Sequence, residues 1–466
     1  MRRVTSRTIM CGAAGVLAGL VTAVGVVALT QVAAAHGVTS ADRDPAGLIE
    51  AAHLPPLLTV KGEPAVLRYD IYCAPPGGDP ESGAPCDAGG TVYVRAGDSG
   101  PFRAVPLLLD TTASEGRYRA DIPADIAGSH DGFSYYAVLR SNTSGAVSVV
   151  PAGGAAAPQR SRPLGEPALV QLGDHAFGAP ARAAARVASA AWGSGDADVG
   201  LEPGPGLQPI GGSSFDVGET GTVSLLDEAN HRVLRFSPGA SKPVPVRVDV
   251  RGTMADLAVG SGGEMTILET VGDDGTTPLV RRFDAAGRLL GSLHLAERSA
   301  SALELGPAGP VALEYPAAQW MPVAETAAGN ASAGQRARGR AGRTLASGDE
   351  LVVQRAGNEA RIAQVGPRGV KRSWRIQSST PLGEIQLANA LGDKVVVVLR
   401  VYTDARDEFL VLLLGEKGLV TRFAIDSAGW AETAPLARFR LRGTALYALG
   451  STPAGVFVDR YDMEVG

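Results

Sequence analysis

Short alternating runs of apolar and polar residues fill the chain from residue 57 to residue 151. In residues 66–72, for example, the polarity alternates from Leu67 to Ile71, which is the period of a strand with one buried face. Turn signals rich in Gly, Asn, Asp and Ser separate six or seven such runs. The pattern therefore predicts a small β-sandwich of short strands.

A second pattern repeats through the last two-thirds of the chain. Three stretches read apolar-x-apolar-Gly-x-x-Gly-x-apolar-x-apolar, at residues 215–225, 257–267 and 303–313. Each predicts two strands joined by a tight turn, in which Gly accepts a positive φ. Another strand–turn–strand element follows each copy, for example at residues 233–240. Four antiparallel strands in about 45 residues form one blade of a β-propeller.

The repeat units are counted from these elements. Complete units are predicted at about 207–250, 251–298, 299–380 and 381–427, and a shorter unit at 428–466. Because the open edge of the last unit must be covered, residues 165–206 are expected to supply closing strands. The predicted fold class is thus all-β, with a sandwich followed by a five- or six-bladed propeller.

Three segments interrupt the strand pattern. Residues 36–56 and the Ala/Gly/Pro-rich residues 152–206 are predicted linkers. Within the second linker, residues 180–192 predict a short helix, and the alternative is a strand at residues 168–172. An insertion at 317–349, with an Arg-rich tract, predicts a surface loop within the third blade, with a basic contact site as the alternative.

The first 35 residues predict export. Arg2, Arg3 and Arg7 precede a stretch without charge from residue 8 to residue 35, and Ala33 to Ala35 fit a cleavage site. The segment is a cleaved signal peptide or, because it is long enough to span a bilayer, an anchor formed by residues 8–35. Either alternative predicts an extracellular or cell-surface protein, which touches the membrane only through this segment.

Composition adds two constraints. The net charge of −5 does not favour nucleic-acid binding, and the abundance of Ala, Gly and Arg is typical of GC-rich bacterial genomes such as those of actinobacteria. Cys73 and Cys86 predict a disulfide, because an exported chain enters an oxidising compartment. Cys11 lies within the export segment.

One string in the first blade resembles a known repeat family. Asp227, Asn230, Arg232, Val233 and Phe236 match the D-x-x-N-x-R-[VI]-x-x-F turn of the NHL repeat. The resemblance covers about 40 residues at this turn and is architectural in the later blades. It implies that Asp227 and Asn230 cap the turn and that Arg232 reaches a neighbouring strand, which is a structural role.

The N-terminal strands also resemble a known class of module. The aromatic run at residues 133–137, before the last turn, is similar to the late strands of immunoglobulin-like and fibronectin type III-like domains. This resemblance implies an Ig/FnIII-like sandwich at residues 57–151.

Acidic residues end the second strand in three successive units. Asp227, Glu269 and Glu314 occupy these positions, so they are expected near one end of the propeller. They are candidate ligands for Ca²⁺, as in six-bladed sugar-lactone hydrolases, and a rim of paired surface charges is the alternative. Otherwise the sequence predicts no cofactor. Its six histidines are scattered, and it contains no Gly-x-Ser-x-Gly, P-loop or HExxH motif.

Two folds commonly used for binding, without a catalytic motif, predict a non-enzymatic binding or scaffold protein. The expected partner is a protein or a cell-envelope glycan that contacts a propeller face. The alternatives are a metal-dependent hydrolase of the lactonase type and a membrane-anchored structural envelope protein.

Overall fold

The computed structural model describes most of the chain after residue 47. The described residues are 48–74, 84–111, 116–201, 209, 211–251, 254–270, 278–295, 300–314, 318–323, 340–427, 429–431 and 436–463. The predicted export segment, residues 36–47 and the centre of the predicted insertion lie outside them. No helix within these described ranges is both long and apolar enough to cross a membrane.

The N-terminal part is a sandwich of two sheets. The first sheet contains β1 (Leu48–Ala52), β3 (Val66–Ala74), β4 (Ala84–Pro85), β7 (Leu108–Leu109) and β8 (Arg117–Asp121), in the spatial order β1-β3-β8-β7 with β4 beside β3. The second contains β2 (Leu58–Thr59), β5 (Ala88–Ala96), β6 (Arg103–Pro106), β9 (Phe133–Ser141), β10 (Val147–Val150) and β11 (Gln159–Pro163), in the order β2-β11-β9-β5-β6 with β10 beside β9. The connections include α1 (Ala124–Ala127) and a 3-10 turn at Gly154–Ala156.

One hydrophobic core lies between these two sheets. Leu67, Tyr69 and Ile71 of β3 pack in the same cluster as Val92 of β5 and Tyr135 of β9. The alternating burial along β3 follows the alternation in the sequence, because one face of the strand packs inward. The Ig/FnIII-like character of this sandwich stays a prediction.

Six further sheets make up the rest of the described chain. Blade 1 contains β14 (Phe215–Val217), β15 (Val223–Asp227), β16 (Arg232–Phe236) and β17 (Val244–Arg247), and blade 2 contains β18 (Ala255–Val259), β19 (Met265–Glu269), β20 (Leu279–Phe283) and β21 (Leu289–His294). Blade 3 contains β22 (Ala300–Gly306), β23 (Gly309–Glu314) and β24 (Gln319–Pro322).

The later blades recruit strands from the segment between the domains. Blade 4 contains β25 (Arg343–Thr344), β26 (Glu350–Ala356), β27 (Glu359–Gly366), β28 (Gly369–Gln377) and, at its outer edge, β12 (Ala168–Gln171). Blade 5 contains β29 (Leu382–Leu391), β30 (Lys394–Tyr402), β31 (Asp407–Gly415) and β32 (Gly418–Asp426). Blade 6 contains β33 (Phe439–Arg442), β34 (Ala445–Thr452), β35 (Gly455–Asp462) and β13 (Ala185–Ala191).

The six sheets form a closed ring. β14 contacts β18, β18 contacts β22, β26 contacts β29, β29 contacts β33, and β33 contacts β14. Between blades 3 and 4, Arg343 forms an ion pair with Glu304. This ring of antiparallel sheets is a β-propeller with six blades.

The last blade is completed by a strand from the other end of the domain. β13 pairs antiparallel with β35, and Ala188 lies opposite Val458. β13 covers the edge that β35 would otherwise leave open. β12 is placed differently, because it runs parallel to β28 at the outer edge of blade 4.

The structure differs from the sequence predictions in three segments. The predicted unit 299–380 is two blades, because β24 (Gln319–Pro322) completes blade 3 and β25 (Arg343–Thr344) begins a new sheet, and both strands lie within the predicted insertion 317–349. The insertion therefore joins blades instead of splitting one. The predicted helix at 180–192 is wrong, because the main chain there pairs with β35. The predicted linker 36–56 contains β1, whose Ile49 is part of the sandwich core.

The sandwich packs directly on blade 4. Leu57, Leu58 and Leu164 form a buried cluster with Val352 and other side chains of blade 4. These side chains form the apolar contact between the two domains.

Polar contacts surround this apolar cluster. The Leu58 N–H donates to Gln354 Oε1 at 2.6 Å. Glu63 accepts from Arg361 and Arg375, each at 2.6 Å. Glu359 of β27 pairs with the same two guanidinium groups, so four charges form one network across the domain boundary.

The predicted disulfide is confirmed. Cys73 and Cys86 are bonded, with their Cα atoms 5.5 Å apart. The bond links β3 to the segment between β4 and β5.

Candidate functional site

The NHL-like turn of blade 1 is a bonded structural unit. Asp227 is fully buried at the end of β15, and its Oδ2 accepts from Arg232 Nε at 2.7 Å and from Asn230 Nδ2 at 2.8 Å. Its Oδ1 accepts from the Gly200 N–H at 2.8 Å. Arg232 also donates to the Gly195 carbonyl oxygen, and Phe236 packs in the core. The turn therefore ties blade 1 to the chain that follows β13.

Glu269 holds the equivalent place in blade 2. It is buried at the end of β19, and its Oε1 accepts from Arg281 Nε at 2.6 Å. Its Oε2 accepts from the Arg251 N–H at 3.1 Å. Glu314, at the end of β23, is half-buried between Ala300 and Gln319 in the blade 3 ladder.

These three carboxylates do not come together as a metal site. Among the described residues, no group of three His, Cys, Asp or Glu side chains is placed to hold a metal ion. Asp227 and Glu269 instead have their oxygens directed at guanidinium and main-chain donors, as buried carboxylates require.

The first strands of the blades carry a second set of charges, which the sequence analysis missed. Three acids and three arginines take part: Asp216, Asp256, Glu304, Arg343, Arg440 and Arg442. We call them the axial charge cluster. The acids Asp216 and Glu304 occupy the polar position of apolar-x-apolar in the first and third copies of the repeat. That position was the available signal, but it is also where exposed polar residues are expected.

The acids of this cluster bond one blade to the next. Asp216 Oδ2 accepts from the Val259 N–H at 2.8 Å, which links blade 1 to blade 2. Asp256 Oδ2 accepts from the Leu303 N–H at 2.7 Å, which links blade 2 to blade 3. Each bond satisfies a main-chain group that the blade's own ladder leaves free.

Arg440 closes the ring from blade 6. Its Nε donates to the Phe215 carbonyl oxygen at 3.0 Å, and its Nη2 donates to Asp256 Oδ1 and to the Leu257 carbonyl oxygen, both at 3.0 Å. Arg442 adds a bond from Nε to the Val217 carbonyl oxygen at 2.6 Å.

Burial and pairing compete in this cluster. Burial raises the pKa of Asp256, and the nearby Arg440 charge and the N–H of Leu303 act in the opposite direction. Burial lowers the pKa of Arg440, but Asp256 and Asp216 more than offset it, so the net pKa is raised. Three carboxylates balance three guanidinium groups, and the cluster serves to join the blades.

A cleft of about 200 Å³ lies between blades 5 and 6, beside the closing strand β13. Aromatic and charged side chains share its lining. The aromatic ones are Phe409, Phe439, Phe457 and Tyr461. The charged ones are Arg186, Arg438, Asp426 and Asp459.

Arg186 stands at the exposed side of the cleft. Its Nε and Nη2 donate to the two carboxylate oxygens of Asp459 at 2.8 and 3.0 Å, and its guanidinium lies 3.8 Å above the Phe457 ring centre. The ladder between β13 and β35 is irregular between Arg186 and Ala188. Such bulges redirect side chains near binding sites.

Two polar groups of the cleft are not bonded within the fold. Neither the Tyr461 hydroxyl nor the Asp426 carboxylate has a hydrogen-bond partner among the described residues. Burial raises the pKa of Tyr461 to about 12, and the negative charges of Asp459 and Asp426 contribute. The hydroxyl therefore stays protonated at neutral pH and is available as a hydrogen-bond donor.

The fold and these sites define an all-β protein with an N-terminal sandwich and a six-bladed propeller. The sequence matches no family model and no curated protein. Solved structures that are similar include virginiamycin B lyase from Staphylococcus aureus, at 12% identity, TM-score 0.31, and coverage of 55% of this chain and 86% of that one. The propeller assignment rests on the six sheets and the closing strand.

Two other similar solved structures are of different proteins. YCF48 bound to D1 peptide has 12% identity, TM-score 0.32, and coverage of 63% of this chain and 98% of that one. A putative 6-phosphogluconolactonase from Bacteroides fragilis has 13% identity, TM-score 0.30, and coverage of 81% and 96%. The NHL resemblance of blade 1 stays a prediction beside them.

Proposed function

We propose that the protein is an exported, non-enzymatic binding protein that recognises a cell-envelope component, either a protein or a glycan, through its propeller. The cleft between blades 5 and 6 carries this proposal, because the Tyr461 hydroxyl and the Asp426 carboxylate line it and have no hydrogen-bond partner among the residues that the structure describes. A concave site with aromatic walls and a few convergent polar groups is the usual form of a binding site.

The hydrogen bonds of the candidate metal ligands Asp227 and Glu269 favour a binding function over a metal-dependent hydrolase. Asp227 is held by Arg232 and Asn230, and Glu269 is held by Arg281. A carboxylate with these partners would have to lose them in order to bind Ca²⁺ or to take a proton from water. We therefore propose no cofactor and assign these residues to the fold.

The sandwich has a scaffold role in this proposal. Leu58 is buried against blade 4, and Glu63 pairs with two arginines of that blade. We infer that this junction positions the propeller relative to whatever the sandwich or the N-terminal segment contacts.

The proposed location is outside the cell or on its surface. The Cys73–Cys86 disulfide is suited to an oxidising compartment, and the first 35 residues have the composition of an export segment. N-terminal sequencing of the protein from its own host distinguishes a cleaved signal, which gives a new N-terminus near His36, from an anchor that retains residues 8–35.

The test is a capture experiment with the full-length chain, tagged at its C-terminus and expressed in its own host. We expect a defined envelope protein or glycan to be retained and to be displaced by an excess of untagged chain. Resin that carries the same chain after heat unfolding is the control. Equal retention by native and unfolded chain contradicts the proposal, as does stoichiometric Ca²⁺ that is lost together with a lactonase activity in Asp227→Ala.

A further inference from the structure

We propose that the cleft between blades 5 and 6 binds a single ring of a neutral carbohydrate, such as the terminal sugar of an envelope glycan. This inference rests on the proposed binding function and names its ligand class. It is argued from the unused polar groups of the cleft, its charge balance, its size and its position.

The unused groups match the hydroxyl groups of a sugar. The Tyr461 hydroxyl donates or accepts a hydrogen bond, and the Asp426 carboxylate accepts one or two. Neither has a partner among the described residues, so a ligand can bond to them without breaking a bond of the fold. A sugar ring offers several hydroxyl groups, each both donor and acceptor, at adjacent positions.

The charges of the cleft balance. Two guanidinium groups, Arg186 and Arg438, and two carboxylates, Asp426 and Asp459, line it. A cationic ligand attracted to Asp426 would meet both arginines, and an anionic ligand attracted to the arginines would meet both carboxylates. A neutral ligand avoids this repulsion and still gains charge-assisted hydrogen bonds.

The size of the cleft limits the ligand to one ring. Its volume of about 200 Å³ is below the ~300–1,000 Å³ that is usual for pockets of drug-sized ligands. Phe409 and Phe439 pack edge to face with their centres 5.0 Å apart, and both are buried within the apolar part of the lining. The sugar ring therefore bonds chiefly through its hydroxyl groups to the polar side chains of the cleft.

The cleft is also accessible from solvent. Asp426 is exposed at the end of β32, and the Arg186 side chain is about half exposed. A ligand can therefore remain attached to a longer glycan while its terminal ring occupies the cleft.

Ligand-observed NMR with the full-length chain tests the proposal. The probes are the methyl glycosides of glucose, galactose, mannose, arabinose and N-acetylglucosamine, and choline and phosphate are the charged comparisons. We expect saturation transfer to at least one glycoside and to neither ion. The variants are Tyr461→Phe, which removes only the hydroxyl, and Asp426→Asn, which removes the charge. Tyr402→Phe is the matched control, because Tyr402 is an exposed tyrosine that is not part of the cleft lining.

We expect Tyr461→Phe, which loses a hydrogen bond, and Asp426→Asn, which loses the charge that strengthens one, each to weaken glycoside binding by about fivefold to tenfold, and Tyr402→Phe to leave it unchanged. Equal binding by all variants, preferential binding of choline or phosphate, or no binding of any glycoside overturns the inference. If Tyr461→Phe captures the envelope component as strongly as the native chain does, the sugar assignment fails and the binding function stands. If capture fails in the native chain, the binding function itself fails.

Discussion

Arg440 joins three blades through its guanidinium group. One guanidinium reaches β14 at Phe215 and β18 at Asp256 and Leu257, so it joins three blades. Its removal leaves the Asp256 charge buried without its main counter-charge. A buried ion that loses its partner is far more costly than an exposed one, because water cannot replace the missing charge.

We therefore expect Arg440→Met to lower the free energy of unfolding by about 3–5 kcal/mol, measured by urea unfolding of the full chain at pH 7. Arg288→Met is the matched control, because Arg288 pairs with Asp284 on the surface and should change stability by less than about 1 kcal/mol. Equal effects of the two substitutions would contradict the structural role of the axial charge cluster.

In the sandwich, His53 is an ionisable side chain whose charge state should affect stability. It is buried, its Nδ1 is 2.6 Å from the Arg68 carbonyl oxygen, and its Nε2 is 2.7 Å from the Tyr135 hydroxyl oxygen. Burial lowers its pKa to about 4, although the bond to Arg68 acts in the opposite direction. In the unfolded chain the pKa is about 6.5, so the unfolded state binds more protons between these values.

The pH dependence follows from this difference. The stability associated with neutral His53 is present above pH 6.5 and is lost as the pH falls toward 4, by about 3 kcal/mol in total. We expect calorimetry to show that His53→Gln removes this part of the loss of sandwich stability between pH 7 and pH 4.5. His130→Gln, at an exposed histidine, should keep it. An unchanged pH slope in His53→Gln would refute the assignment.

At the scale of elements, the closing strand β13 determines the shape of blade 6. Gly455 begins β35 at φ 156°, and a Cβ there would overlap the Ala190 carbonyl oxygen of β13. Only glycine allows the two backbones to approach this closely.

We expect Gly455→Ala to destabilise the propeller by about 1–3 kcal/mol more than Gly309→Ala. Gly309 also begins a strand after a tight turn, in blade 3, and has a φ of 122°, but a Cβ there meets nothing within 4 Å. Hydrogen exchange should show faster exchange of β13 amides in Gly455→Ala alone. Equal exchange in both variants would mean that β13 does not depend on this contact.

The sequence predicts some of these elements correctly and others not, for physical reasons. The hairpins of blades 1 and 2 follow the Gly-x-x-Gly repeat, because a tight turn needs glycine at fixed positions. The sequence of β13 predicts a helix, because its alanines favour a helix locally. Only pairing with the distant β35 makes this segment a strand. The sequence predicts blades 3 and 4 as one unit, because β24 has only four residues and lies within the predicted insertion 317–349.

The candidate sites also differ in how far the sequence predicts them. The sequence predicts the roles of Asp227 and Asn230 because one turn contains both residues and their bond is local. The cleft brings Arg186, Asp426 and Tyr461 together through ring closure, which no short sequence window contains. The sequence does not predict the axial charge cluster for a further reason. The alternation pattern around Asp216 predicts a solvent-facing polar residue, but the next blade covers it.

At the scale of the whole molecule, the junction between the sandwich and blade 4 combines an apolar contact with a charge network. Leu58 is fully buried there, whereas the Glu63 side chain is 37% exposed. Burying a leucine contributes several kcal/mol, and a partly exposed ion pair contributes about 1 kcal/mol or less. The apolar contact should therefore hold the two domains together, and the charges should set their orientation.

We expect Leu58→Ala to reduce the stability of the junction by about 2–5 kcal/mol and to split the calorimetric unfolding of the full chain into two separate transitions. Glu63→Ala should leave a single transition and change stability by about 1 kcal/mol, because Arg361 and Arg375 each keep an ion pair with Glu359. Glu166→Ala is the control, since Glu166 is an exposed acid two residues beyond the buried Leu164. If Glu63→Ala separated the domains and Leu58→Ala did not, the charge network and not the apolar cluster would hold the junction, and high salt would then separate the domains of the unmodified chain.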